Sequence, residues 1–142
     1  ELGSRAIAVE AGESFDVAGF SVRAFGGQHA VIHPAIGTPC ANVGYLVNDT
    51  VYHPGDSFFV PPASVETLLA PLHAPWSKLS EVIDFVVAVR APQAFPIHDA
   101  MLSESGVKNS VGHVNRFAKS YGTSVSYLAP TDVVELAGSS PR

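Results

Sequence analysis

The sequence predicts a mixed α/β domain in which helices cover one side of a β-sheet. The first half holds short β-rich runs parted by turn residues. The second half alternates short apolar runs with stretches whose apolar residues recur at helical spacing. Of the 142 residues, 46% are hydrophobic and only 15% charged, which is enough apolar surface for a packed core and too little charge for a disordered chain. A run of antiparallel strands followed by alternating strand and helix fits a mostly antiparallel sheet with helices on one face.

Taken in order, Ala6–Glu10 is a short apolar run closed by Ala11-Gly12. Strands are expected over Ser14–Val17 and Phe20–Phe25, joined by the turn Ala18-Gly19. In the second of these, apolar residues fall at every other position, as in a strand with one buried face. Gly26-Gly27 stops it. Pro34, Gly37 and Pro39 make Gln28–Ala41 a loop. Val43–Val47 and Thr50–Tyr52 are β-rich, and the Asn48-Asp49 pair between them tolerates the positive φ of a tight hairpin. Val65–Ala70 reads as a buried strand. Ser77 is the expected N-cap of a helix reaching about Val89, with Leu79, Val82, Ile83, Val86 and Val87 on one side. Ala94–Ile97 is a short strand. Val107, Val111, Val114, Ala118 and Tyr121 mark a second helix, with Gly122 at its C-cap. Val125–Leu128 and Val133–Leu136 are expected to close the chain as strands, followed by a disordered tail at 138–142.

Composition narrows the function classes. The net charge is −5, and the eight basic residues are spread from Arg5 to Arg142. A phosphate-backbone binder needs a concentrated positive face, so nucleic acid is not an expected partner. Cys40 is the only cysteine, which rules out an internal disulfide and fits a reducing, cytoplasmic compartment. No apolar run approaches the roughly 18 residues of a membrane span, and Glu1–Ala11 lacks a signal-peptide layout. The only methionine is Met101, consistent with a processed or cut chain. Low charge content also predicts that part of the surface is buried against a missing part of the fold or a second subunit.

The chemistry-bearing residues sit at strand ends. His29 follows Gly26-Gly27, His53 precedes Pro54-Gly55-Asp56, and His98 follows Ala94–Ile97 in Pro96-Ile97-His98-Asp99. Strand ends are rigid while their loops are open, which suits ligand groups. Gly55 permits a sharp turn that points the Asp56 carboxylate back over the strand end, where its oxygens can bridge two metal ions. Imidazole nitrogens suit zinc, iron, manganese or nickel, and a carboxylate suits all of these. Taken alone, each feature also has a plain structural reading. Gly-Asp after a strand is ordinary turn chemistry, and a lone histidine at a strand end is more often a hydrogen-bonded structural residue. The spacing of His29 and His33 would chelate a metal on a helix, but Gly26, Gly27 and Pro34 argue against a helix there. His73 and His113 read as structural or surface residues, Trp76 as the anchor of a helix start, and Cys40 as an unactivated thiol. There is no G-x-S-x-G, P-loop or G-x-G-x-x-G motif.

In order along the chain, Gly26-Gly27-Gln28-His29, Asn42-Val43-Gly44-Tyr45-Leu46-Val47 and Val51-Tyr52-His53-Pro54-Gly55-Asp56-Ser57 resemble the metallo-β-lactamase superfamily, and most closely its lactonase-like and phosphodiesterase-like hydrolases. Leu68-Leu69-Ala70-Pro71, Ser80-Glu81-Val82-Ile83-Asp84-Phe85 and Pro96-Ile97-His98-Asp99 continue the resemblance, which covers roughly Ile7 to Leu136. By that resemblance His29, Asp56 and His98 are metal ligands, with Asp56 the catalytic, metal-bridging carboxylate. His53 and Asp99 are neighbours that orient the ligands. The implied cofactor is a divalent metal, foremost zinc, with manganese, iron or nickel as alternatives. The implied reaction is attack of a metal-bound hydroxide on an ester, lactone or phosphodiester, with a small molecule as substrate.

Family members carry a His-x-His-x-Asp-His motif ahead of these elements. This sequence has no His-x-His, and only 28 residues precede His29. The resemblance therefore implies the C-terminal half of an αββα sandwich over residues 1–137, inactive by itself, with an apolar face covered by the missing N-terminal half or by a homodimer partner. Two other readings stay open: a non-catalytic α/β binding or assembly module, and an unrelated small domain whose Gly-Asp and histidine residues are structural.

Overall fold

The computed structural model describes residues 6–36 and 40–136, so the expected tail at 138–142 lies outside the described residues. The strands are β1 (Ser14–Val17), β2 (Phe20–Gly26), β3 (Val43–Val47), β4 (Val51–His53), β5 (Thr67–Pro71), β6 (Gln93–Ile97) and β7 (Ser124–Val125). They form one sheet in sequential order. Helices α1 (Leu79–Val89) and α2 (Glu104–Ala118) are the crossovers β5–α1–β6 and β6–α2–β7. The sheet is antiparallel from β1 to β4 and parallel from β4 to β7. The expected mostly antiparallel sheet is thus half parallel, because the loop after β4 and the two helical crossovers each return the chain to the same end of the sheet.

Local residues explain the antiparallel half. Asn48 and Asp49 sit at φ 50° and 52°, a turn twisted to suit a two-residue hairpin, and Thr50 donates to the Val47 carbonyl at 2.9 Å. Ala18 and Gly19, at φ 50° and 84°, join β1 to β2 in the same way.

The core lies between the helices and one face of the sheet. Register places Leu46, Tyr52, Leu68, Ala94 and Val125 side by side across β3 to β7. All five are buried under Val82, Phe85, Val86, Val114 and Ala118 of the helices. The expected stripes hold for Leu79, Val82, Ile83 and Val86 of α1, with Phe85 a further buried contributor, and for Val107, Val111, Val114 and Ala118 of α2. Tyr121 departs from its stripe: α2 ends at Ala118, and Tyr121 is exposed in a 3-10 turn that Gly122 caps. Tyr52 ties the loop after β4 into this core. Its hydroxyl donates to the Phe59 carbonyl at 2.9 Å, and burial pushes its pKa up to about 12, so it remains a neutral donor.

The opposite face carries Val43, Tyr45 and Val47 of β3, Val51 of β4 and Leu69 of β5. With Phe15 and Val17 they line an apolar groove that ends at His53 and Gly55. Neither helix covers it.

Several expectations are corrected. Lys78 rather than Ser77 is the N-cap of α1, because the Ser77 hydroxyl is committed to closing the preceding turn, within 3.0 Å of the Ala74 N–H and 3.2 Å of its carbonyl. Glu81 instead reaches back to the Lys78 N–H at 2.8 Å. The expected strand over Val125–Leu128 shortens to β7, and Val133–Leu136 is not a strand. Pro130 and a turn closed by the Asp132 N–H on the Ala129 carbonyl at 3.0 Å carry the chain off the sheet, leaving Val133 94% exposed.

Candidate metal centre

Strand polarity gathers the candidate residues. β2, β4, β5 and β6 run in one direction, so their C-terminal ends share one edge of the sheet. His29 follows β2, Asp56 follows β4, the loop His73–Lys78 follows β5, and His98 follows β6. Loops beyond the carboxyl ends of parallel strands are where α/β sheets place their ligand sites.

Asp56 is held from several sides. Its N–H donates to the Asn42 side-chain oxygen at 2.8 Å, and its carbonyl accepts the Ala30 N–H at 2.8 Å. The Asn42 amide nitrogen donates to the Pro54 carbonyl at 2.9 Å and lies 3.3 Å from the Ser57 hydroxyl, which itself donates to Pro54 at 3.0 Å. Gly55 turns the chain at φ +66°, and a Cβ placed on it would stand 2.2 Å from the Asn42 side-chain oxygen. Gly55 is therefore required by conformation and by space.

The two imidazoles flank the carboxylate. Nε2 of His29 lies 3.3 Å from Oδ2 of Asp56, and Nε2 of His98 lies 3.5 Å from Oδ1. Nδ1 of His29 bonds the Ala30 carbonyl at 2.5 Å, and Nδ1 of His98 bonds the His73 carbonyl at 2.7 Å. A carbonyl only accepts, so each Nδ1 carries a proton, and Nε2 is the ring atom that faces Asp56. Metal-binding histidines are oriented in the same manner. His98 also holds a positive φ of 59°, in the left-handed region that histidine enters more readily than most side chains.

These separations suit a metal pair. Two ligands held tetrahedrally about 2.1 Å from one zinc-sized ion stand about 3.4 Å apart. The observed 3.3 and 3.5 Å bracket that value. Among the described residues there is no group of three or more His, Cys, Asp or Glu side chains that could hold a metal ion. The arrangement pairs one imidazole with one oxygen on each side of the Asp56 carboxylate.

The supporting residues take different roles. His53 Nδ1 accepts the Gly55 N–H at 3.0 Å, bracing the turn. Desolvation holds its pKa below 6.5, partly offset by the Asp56 charge and by a hydrogen bond to its own backbone. The fold therefore favours the neutral ring. That contribution is complete above about pH 6.5, the unfolded value, and is lost as pH falls through the lower folded value. The stability advantage of the native chain over His53→Asn should shrink between about pH 7.5 and pH 5 in thermal melts, and an unchanging difference would refute this assignment. Asp99 takes the hydroxyl of Tyr127, and that phenol's pKa is raised by this hydrogen bond first, then by desolvation and by the charges of Asp99 and Asp132. Asn42 and the loop after β5 escaped the sequence reading. Asn42 acts over a separation of up to 15 residues, and His73 contributes its carbonyl rather than its ring.

A family model for the beta-lactamase superfamily domain matches residues 1–98. The chain belongs to the metallo-β-lactamase superfamily. Protein Rv0786c of Mycobacterium tuberculosis is 44% identical over 108 residues, a stretch covering 72% of this chain and 50% of that protein. Among solved structures, the superfamily fold is shared with Igni18, a metallo hydrolase from Ignicoccus hospitalis, at a TM-score of 0.62 and 15% identity over 90% of this chain and 59% of that one. A candidate metal-dependent hydrolase from Parabacteroides distasonis matches at a TM-score of 0.63 and 14% identity, over 84% of this chain and 56% of that one. The chain thus spans about half the length of these relatives. No helix among the described residues is long and apolar enough to cross a membrane.

Proposed function

We propose that this chain forms the part of a dinuclear metal-dependent hydrolase that supplies the bridging carboxylate, Asp56, and one histidine to each ion. The observation that carries this reading is the placement of His29 and His98 on opposite oxygens of one carboxylate, with both Nδ1 atoms tied to carbonyls. Superfamily membership and the likeness to metallo hydrolases support it. The donor set, two imidazoles and a carboxylate, suits zinc first, then manganese, iron or nickel.

His29, Asp56 and His98 would hold the metal, which would supply activated water, with a pKa lowered towards about 7, and a Lewis acid for an ester, lactone or phosphodiester oxygen. The chain's own residues do the positioning. Asn42 fixes the Asp56 backbone, the Ala30 and His73 carbonyls fix the imidazole tautomers, and His53 braces the turn. The lactonase-like or phosphodiesterase-like branch is the best fit by motif order, and the substrate is a small molecule.

Each half-site holds two ligands from this chain, whereas catalytic zinc takes three protein ligands. The remaining ligands come from outside the described residues. The apolar face ending at His53 and Gly55 leads to the site, so a second sheet laid on it would reach Asp56. The missing N-terminal half is the preferred cover, with a second copy of the chain as the alternative. The isolated chain should retain metal weakly and turn over no substrate.

Dialysis against zinc, manganese or cobalt followed by elemental analysis tests the reading. Metal should be retained by the native chain and lost in His29→Ala and His98→Ala. Equal retention by those variants, or none by the native chain, would sink it.

A further inference from the structure

We propose that Trp76 is a positioning residue that sets the orientation of both candidate metal-binding imidazoles at once. The inference rests on the proposed metal site but concerns a residue outside the ligand set. The Trp76 ring lies 6.1 Å from the His29 ring at 78° and 6.2 Å from the His98 ring at 77°. These are edge-to-face contacts within the favourable range for ring pairs. Two nearly identical contacts, to histidines 69 positions apart in sequence, put one indole against both rings that flank Asp56.

The indole is itself anchored. Phe58, two residues beyond Asp56, packs on Trp76 at 5.0 Å and on Phe85 of α1 at 5.2 Å. Phe85 is buried in the core. A chain of rings therefore runs from the core through Phe58 to Trp76 and on to both imidazoles. Trp76 lies in the turn closed by Ser77 on Ala74, in the same loop whose His73 carbonyl takes the His98 Nδ1 proton. This single loop after β5 thus sets His98 by a hydrogen bond and both histidines by packing.

A hydrogen bond at Nδ1 fixes one edge of an imidazole but leaves the ring free to rock about that bond. The indole blocks the rocking, which keeps each Nε2 aimed at its own carboxylate oxygen. Groups that orient metal ligands without touching the metal typically change affinity by roughly 10–100-fold. Trp76 is also the only tryptophan, so its emission reports on this site alone.

The test uses the metal-free chain and cobalt(II). Without metal, the ring protons of His29 and His98 should each give one sharp set of NMR signals in the native chain and in Trp76→Phe. In Trp76→Ala both sets should broaden or split as the rings sample more than one orientation. With cobalt, the native chain should show Trp76 quenching and visible absorption bands. Trp76→Ala should bind cobalt at least about tenfold more weakly with altered bands, and Trp76→Phe should recover most of the affinity. Thermal melts without metal identify any variant that has merely lost its fold, and Trp76→Phe then carries the comparison. Unchanged ring signals in a folded Trp76→Ala overturn the positioning role. Absence of cobalt binding by the native chain, with its ring signals sharp, overturns the metal reading and leaves the positioning role standing.

Discussion

A Gly55→Ala variant should be the most destabilised single methyl addition in the loop after β4. Two costs add. Alanine at φ +66° occupies the left-handed region, which costs roughly 1–2 kcal/mol for a residue with a Cβ. The new Cβ also lands 2.2 Å from the Asn42 side-chain oxygen, so Asn42 or the turn must move. Overpacking of that kind costs about 1–3 kcal/mol. If Asn42 yields, it gives up the Asp56 N–H, and a partly buried donor left unpaired costs about 1–3 kcal/mol, while the Pro54 carbonyl keeps the Ser57 hydroxyl. A fall in melting temperature on the order of 10 °C follows for a domain of this size. Because the clash and the lost bonds share one partner, Asn42→Ala and Gly55→Ala should be strongly non-additive, the double variant being more stable than the two single losses predict. Urea melts of the four proteins measure this. A Gly55→Ala chain as stable as the native one would show that the turn has room the structure denies.

Much of this architecture is legible in the sequence where the deciding physics is local. Asn48-Asp49 predicts its hairpin because positive φ is a property of the two residues themselves. The stripe Val82, Val86 predicts the buried side of α1 because helical period alone decides which side chains share a face. Where two local signals compete, the reading fails. Ser77 is a good N-cap by type, yet its hydroxyl closes the turn at Ala74 and the helix starts from Lys78. Val133–Leu136 has strand-forming residues, but strand formation needs a partner, and the turn after Pro130 leads the chain away from one. The candidate site divides in the same way. His29, Asp56 and His98 emerge from their order at strand ends, and the structure brings them together at one edge of the sheet. Which oxygen each imidazole faces depends on the direction of β2, β4 and β6, a property of the assembled sheet. The dependence of both histidines on the loop after β5 has no local signature, since it acts through a backbone carbonyl and through ring packing across the site.

Asp56→Asn should separate the site from the scaffold. The substitution keeps the side-chain shape and leaves the backbone bonds to Asn42 and Ala30 intact. Position 56 is half-exposed at its carboxylate, so folding stability should change by less than about 0.5 kcal/mol. Metal binding should collapse. The asparagine side chain offers one acceptor oxygen and an amide NH₂ that cannot ligate, so only one of the two imidazoles keeps an oxygen partner. Loss of an orienting neighbour already costs roughly 10–100-fold in affinity, so loss of the bridging ligand should cost at least about 100-fold. A metal-free readout accompanies it. The Asp56 charge raises the pKa of His53 against the lowering by desolvation. Removing that charge should lower the His53 pKa further, visible in an NMR titration of its ring protons. A variant that keeps its melting temperature, lowers the His53 pKa and loses metal identifies Asp56 as a ligand on a preserved scaffold. One that keeps its metal as well would reduce Gly55-Asp56 to an ordinary turn, and with it the case for a hydrolytic centre in this chain.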